Sequence, residues 1–303
     1  MSEKSDTIDG ASFDPSGFES GSQAILKRLA FLKKEPMGLA GLIILSFVVL
    51  VAIFAPQIAT HDPSATDYYN QYAPPSSEHL FGTDDAGQDI FSQLVYGARP
   101  AIQVGLSSAA AVAFIGMNVG LFAGYFGGYV DDILMRLVDF AYGIPFTPFV
   151  IVLMTLWKPS LWTIAIAIAL LLWRQTARVV RSQVLSIKEK PYIKSAKASG
   201  ASDLRIIYLH IAPNILPLVF LYGTFAIGWS ILTEAGLSFL GFGDPDAVTW
   251  GQMLQAAYQS QALARDAWWW FILPGGAIML TVISAFLVGR GYEELLNPEL
   301  RER

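Results

Sequence analysis

The chain holds no cysteine and only three histidines in 303 residues. Without thiols there can be no disulfide framework, no thiolate zinc site and no cysteine nucleophile. Charge is scarce as well: 15% of residues are Asp, Glu, Lys or Arg, against about 25% in an average soluble domain. A soluble fold of this length has more surface than so few charges can cover, so lipid must solvate much of the chain. The formal net charge of −5 excludes a basic nucleic-acid binder. Catalytic signatures are missing too. The sequence has no Gly-x-x-x-x-Gly-Lys-Ser/Thr phosphate loop, no Gly-x-Ser-x-Gly elbow and no His-Glu-x-x-His. The expectation is a non-enzyme, and any uphill transport would draw its energy from another chain.

Long apolar runs are abundant, in a chain of mean hydropathy +0.45. A bilayer core takes roughly 20 mostly apolar residues per helix. Six stretches qualify: Met37 to Ala55, Ala101 to Ala123, Ile133 to Leu156, Leu161 to beyond Trp173, Asn214 to Thr233 and Trp268 to Gly289. The predicted fold is an all-α polytopic membrane protein with six spans. Residues 1–24 are polar and read as a disordered arm. Residues 25–36 place Ile25, Leu26, Leu29 and Leu32 at helical spacing among Lys27, Arg28, Lys33 and Lys34, which predicts an amphipathic helix on the membrane surface. The first apolar run starts late and lacks a small-residue cleavage site, so it reads as an anchor rather than a leader.

Lys and Arg set orientation. With the N-terminus in the cytoplasm, 17 of the 20 basic residues fall inside, and only Arg99, Lys158 and Arg265 fall outside. Six spans then bring both termini to the cytoplasm. The spans and their connections occupy residues 37–290, and residues 291–303 form a cytoplasmic tail. Residues 56–100 and 234–267 become large outward segments, and 179–213 one large inward loop.

Within the spans, Gly116, Gly120 and Gly124 make a small face for close helix packing, either inside the chain or against a partner. Pro145 and Pro148 predict kinks in the third span. Arg174 and Arg178 read as side chains snorkelling to the headgroups. No series of carboxylates or histidines crosses the midplane and no internal repeat is evident, which opposes a stand-alone secondary carrier. His61, His79 and His210 lack metal-ligand spacing and read as surface residues, so no metal is expected.

In the inward loop, Pro191 suits a helix start and Gly200 a left-handed helix end. Ser202 is placed to cap a second short helix with Asp203 in its first turn. Leu204, Ile207, Tyr208 and Ile211 form an apolar stripe on it. The loop is thus two short helices around a glycine corner, bearing Lys188, Lys190, Lys194, Lys197 and Arg205.

This loop resembles the Glu-Ala-Ala coupling loop of ABC-importer permeases. Lys194-Ser195-Ala196, Gly200 and Ile211-Ala212-Pro213 stand at its positions, with the usual Glu and first Ala replaced. Four segments resemble the second permease subunit of the dipeptide/oligopeptide subfamily: Lys34 to Gly38, Phe81 to Arg99 with its Gly-Thr-Asp and Gly87-Gln88-Asp89, Ala198 to Ile207, and Glu234 to Gly243 followed by Trp250-Gly251.

The resemblance implies a type I importer permease fold and one half of a permease heterodimer. Its partners would be a second homologous permease subunit, two cytoplasmic ATPase subunits, an extracytoplasmic substrate-binding protein and the lipid bilayer. ATP and magnesium would sit on the ATPases and no cofactor on this chain. Tyr192, Lys194, Ser195, Ala196, Lys197, Gly200, Ala201, Ser202, Asp203 and Arg205 would dock the ATPase. Asp84, Asp85, Asp89, Glu234, Ser238, Gly241, Gly243 and Trp250 would meet the binding protein or form an outer gate. The cargo implied is di- or oligopeptide; the same machinery also carries nickel chelates, oligosaccharides and opines.

Overall fold

The computed structural model describes residues 36–296. The readings for residues 1–24 and 25–35, and for the tail beyond 296, lie outside the described residues. Helix α1 is Pro36–Ile53 and α2 Ala55–Ile58. A long loop then leads to α3, Ile90–Phe126. Next come α4, Gly128–Gly143, and α5, Phe146–Leu156, followed by α6, Leu161–Ile187, and α7, Pro191–Ala198. Helix α8 runs over Asp203–Phe239, α9 over Trp250–Gln259 and α10 over Trp268–Leu296. Among the described residues the only β pairing is an isolated bridge between Thr83 and Asp89.

Helices α1, α3, α6, α8 and α10 are long and apolar enough to span; α4 and α5 reach that length and hydropathy only together, as a pair bent by 87° that is either a broken span or a re-entrant loop. That bend revises the third predicted span. The chain breaks at Ile144 and Pro145, both extended, because the ring of Pro145 disfavours a helical residue before it. Pro148 lies in the first turn of α5, where its missing N–H has no intrahelical acceptor to lose, so it makes no kink of its own. Helix α5, about 16 Å long, cannot cross a core of about 30 Å alone.

The second span also differs. Helix α3 starts at Ile90, eleven residues before the predicted Ala101, and runs through Arg99 and Pro100. Asp89 caps it, accepting from the Ser92 N–H at 2.8 Å. Arg99 is satisfied inside the fold: its Nε donates to the Ala52 carbonyl at 2.9 Å, and its guanidinium lies over the Tyr96 ring. The fourth span begins at Leu161 as expected, with Ser160 accepting from Thr163 N–H at 3.1 Å.

The bundle is held by small residues. A Cβ on Gly116 would lie 2.6 Å from Thr176 Cβ, one on Gly120 2.6 Å from Val180 Cβ, and one on Gly124 2.6 Å from Val184 Cβ. The glycine face of α3 therefore meets α6 of the same chain and not a partner. Gly38 and Gly291 bring α1 and α10 equally close. One buried cluster joins Ile90, Ala98, Ile231, Trp250, Trp269 and Trp270 at one end of the bundle. Another joins Leu121, Val184, Ile193, Ile206, Ile207 and Ile211 at the other.

Candidate functional site

The first candidate is the exposed knob at the basic end. Pro191 occupies the first turn of α7, where no N–H is needed. Gly200 ends the helix at φ +83°, a conformation costly for any residue with a Cβ. Around it Ala201 N–H donates to the Ala196 carbonyl at 3.1 Å and Gly200 N–H to the Lys197 carbonyl at 3.0 Å, the paired bonds of a Schellman end. Only Ile193 of α7 is buried. Tyr192, Lys194, Ser195, Lys197, Gly200, Ser202, Asp203 and Arg205 are exposed, while Ala196 and Ala201 are half-buried. Nothing lies within 4 Å of a Cβ built on Gly200. Lys194 pairs with Glu189 at 2.9 Å, and that hydrogen bond holds the Glu189 carboxyl below its ordinary value.

Past the corner, the structure differs from two separate short helices. Ser202 stands at the cap position but its side chain accepts no cap bond. Instead Asp203 accepts from the Tyr125 hydroxyl at 2.6 Å. The helix from Asp203 does not stop at Pro213; it passes through a π-helical segment, Ile206–Ile211, into the rest of α8. Ala212 N–H bonds to the Ile207 carbonyl, five residues back. The wider turn accommodates Pro213, which has no N–H and whose ring would crowd the carbonyl four residues earlier. It also redraws the apolar stripe. Ile206, Ile207 and Ile211 are buried, whereas Leu204 and Tyr208 are exposed. Tyr208 reaches Asn118 at 2.7 Å, and Lys188 Nζ donates to the Gly124 carbonyl at 2.8 Å, so the knob is roped to the end of α3.

Helix α4 is tied to the same end. Arg181 holds Asp131 through paired bonds at 2.5 Å. Arg178 binds Asp139 at 2.5 Å and lies over the Tyr142 ring. Arg174 donates to the Ala141 carbonyl at 2.7 Å. These arginines tie α6 to α4 within the chain.

The opposite, acidic end is a cap built on itself. Asp84 accepts from Ala86 N–H at 2.9 Å, Gln88 N–H at 2.8 Å and Gln93 Nε2 at 2.7 Å. Burial nonetheless pushes its carboxyl above the ordinary value. Gly87 has φ +75°, and a Cβ there would lie 1.8 Å from the Asp67 carbonyl oxygen; no other residue fits. Trp250 Nε1 donates to the Leu94 carbonyl at 2.8 Å, and Thr249 with Gln252 forms a capping box at the head of α9. Glu234 accepts from Ser238 Oγ at 2.7 Å. Helix α8 ends at Gly241, φ +91°, with Phe242 N–H on the Leu237 carbonyl at 2.9 Å, and Gly243 sits against Ser238.

Of the residues expected to meet a binding protein or form an outer gate, Asp84, Asp89, Glu234, Ser238 and Trp250 are buried in the cap, which leaves them no surface for docking. Asp85 is half-buried and accepts from Ser260 Oγ at 2.5 Å. The acids this end displays are Asp62, Glu78, Asp246 and Asp266, which sequence reasoning gave no priority over the buried ones. The cap also gathers His61, His79 and Asp89, which sequence spacing did not reveal. His79 is buried rather than on the surface. In mid-bundle, Gln175, Thr176, Tyr222, Phe225 and Trp229 line a cleft between α3, α6, α8 and α10.

Residues 116–302 match the family described as binding-protein-dependent transport system inner membrane component. Residues 28–75 match the N-terminal TM domain of oligopeptide transport permease C. The chain is 38% identical over 271 residues to the dipeptide transport system permease protein DppC of Alkalihalophilus pseudofirmus, covering 89% of this chain and 88% of the relative. It is 36% identical over 300 residues to the oligopeptide transport system permease protein OppC of Bacillus subtilis, covering 96% and 97%. A solved structure of the MetNI methionine ABC transporter in inward-facing conformations has the same fold. The match has TM-score 0.53 and 19% identity over 68% of this chain and 95% of that one.

Proposed function

The chain belongs to the family of binding-protein-dependent transport system inner membrane components, and from that premise we propose that it is one permease half of an ATP-driven importer of di- or oligopeptides. The peptide cargo follows the names of its relatives. Two ATPase subunits carry ATP and magnesium. A second, homologous permease completes the path, and an extracytoplasmic binding protein delivers the cargo. The basic end faces the cytoplasm and the acidic cap faces outward, in keeping with the distribution of Lys and Arg.

The observation that carries the reading is the continuity of α7, Gly200 and α8. An exposed, weakly anchored helix is joined through one tight corner to a 37-residue membrane helix. A partner that closes on the knob thereby moves α8, and with it the cleft at Tyr222, Phe225 and Trp229, between two arrangements. The sequence carries no Gly-x-x-x-x-Gly-Lys-Ser/Thr phosphate loop, and in this reading the work of ATP enters through that contact.

The test is reconstitution of the four-subunit importer with its binding protein in proteoliposomes. ATP-dependent uptake of a labelled peptide is expected, and none without this chain. Gly200→Trp should insert normally but fail to co-purify with the ATPases. Uptake without ATPases, or full ATPase retention by Gly200→Trp, overturns the reading.

A further inference from the structure

Three groups from the loop between α2 and α3 meet in the cap. His61 lies just beyond α2, His79 in the following turn, and Asp89 at the head of α3. Their ligand-capable atoms lie within 4.8 Å of one another. The two carboxylate oxygens of Asp89 have different duties. Oδ2 accepts the helix-cap bond from Ser92 N–H at 2.8 Å, with Thr60 Oγ1 at 3.4 Å. Oδ1 faces the imidazoles, with His79 Nδ1 at 3.0 Å and His61 Nδ1 at 3.8 Å. The first distance is a hydrogen bond; the second is too long for one. The His61 side chain is held beside a buried carboxylate, though its Nδ1 bonds only the neighbouring Thr60 hydroxyl, at 3.0 Å. Its backbone is anchored by His61 N–H to Ser92 Oγ at 3.0 Å.

We propose that His61 Nδ1, His79 Nδ1 and Asp89 Oδ1 form a binding site for a divalent transition metal of the zinc class. A tetrahedral zinc ion bonds imidazole nitrogen at about 2.0–2.1 Å and carboxylate oxygen at about 2.0–2.2 Å, which sets its ligands about 3.4 Å apart. The two observed edges, 3.0 and 3.8 Å, lie on either side of that value. The remaining edge closes by rotating the His61 ring, whose side chain is 39% exposed; this gives up its bond to Thr60, and the ion takes the place of the His79–Asp89 hydrogen bond, whose proton moves to His79 Nε2 or is released to water. The same exposure gives the ion its way in and leaves a coordination position for water. Two imidazoles and one carboxylate are a donor set suited to zinc rather than to calcium or magnesium, which take oxygen ligands. The carboxylate is already oriented, because Ser92 N–H and the Thr60 hydroxyl hold its other oxygen. A bound ion would clamp the segment after α2 and the His79 turn onto the start of α3. The proposal rests on the cap's geometry alone and stands apart from the choice of cargo.

The chain suits a direct test, since it has no cysteine and only one other histidine, His210. The full-length protein, made without a polyhistidine tag, is stripped with chelator in detergent and titrated with zinc chloride by calorimetry. Cobalt(II) absorption reports coordination geometry. One equivalent should bind, with a tetrahedral cobalt spectrum. His61→Ala should weaken binding at least about tenfold, the least loss seen when even an outer-shell partner of a metal site is removed. His210→Ala should leave it unchanged. Because His61 is exposed, its replacement leaves the fold intact, whereas His79→Ala strips a buried residue. No saturable zinc uptake by the wild type, or unchanged affinity in His61→Ala, overturns the proposal.

Discussion

Replacing Gly200 in graded steps separates two reasons why the corner of the knob could matter. One is conformation: φ is +83°, and a Cβ in the left-handed region costs about 1–2 kcal/mol. The other is contact, a partner surface that leaves no room for a side chain. Within this chain a Cβ at Gly200 meets nothing within 4 Å, so Gly200→Ala carries no steric clash of its own. If conformation rules, the alanine variant should shift the corner out of its docked shape by about 5- to 30-fold, and apparent ATPase affinity should fall by that factor. Asparagine adopts the left-handed form more readily, so Gly200→Asn should fall between glycine and alanine despite its larger side chain. Gly200→Val should be worst. The chain's own melting should barely move, because α7 is anchored by Ile193 alone and can refold around its end without opening the bundle. The assay is binding of the ATPase subunits to permease pairs in nanodiscs, with peptide-stimulated ATP hydrolysis as second readout. Alanine equal to glycine, or asparagine worse than alanine, refutes the conformational account.

Two further outcomes test the packing and the cap. Gly120→Val forces α3 and α6 apart at a Cβ distance of 2.6 Å and should cost about 1–3 kcal/mol. Gly275→Ala, in open space on α10, should stabilise by up to about 1 kcal/mol; thermal melting in one detergent compares them, and equal effects would refute the packing argument. Asp84 is held above its ordinary carboxylate value by burial, so its ionisation opposes folding. Its stabilising share is complete below the unfolded value and is lost as pH rises through the folded one. Asp84→Asn should therefore gain melting temperature relative to wild type between pH 4 and pH 7, and a relative loss over that range would contradict the assignment.

Five of the spans were readable because each is an apolar run long enough to need lipid. The errors fall where a local rule meets a tertiary partner. Arg99-Pro100 looks like the edge of a span, yet Arg99 finds the Ala52 carbonyl and the helix runs on to Asp89. Pro213 looks like a breaker, yet a π turn carries α8 through it. The corner at Gly200 and the small face of α3 were legible because glycine is the residue that meets them at least cost, through its left-handed backbone at Gly200 and its missing Cβ on α3. The cap was not. An acid that accepts backbone N–H groups, such as Asp84, has the same one-letter signature as an acid in water, such as Asp62. Likewise nothing in the spacing of His61, His79 and Asp89 announces that they meet.

The unbroken course of α8 has a mechanical meaning. At 37 residues it is a rod about 55 Å long, with the knob at one tip and the Glu234–Gly243 turn at the other. The two faces of the membrane are thus not linked by a relay of contacts; they are two ends of one object. Slack can enter at the π segment, where one residue is wound in surplus, and at Pro217, whose missing N–H leaves a gap in the ladder further along the helix. Rewinding the surplus residue would lengthen the rod by about 1.5 Å, so the play in the linkage is small beside any stroke that opens a path for a peptide.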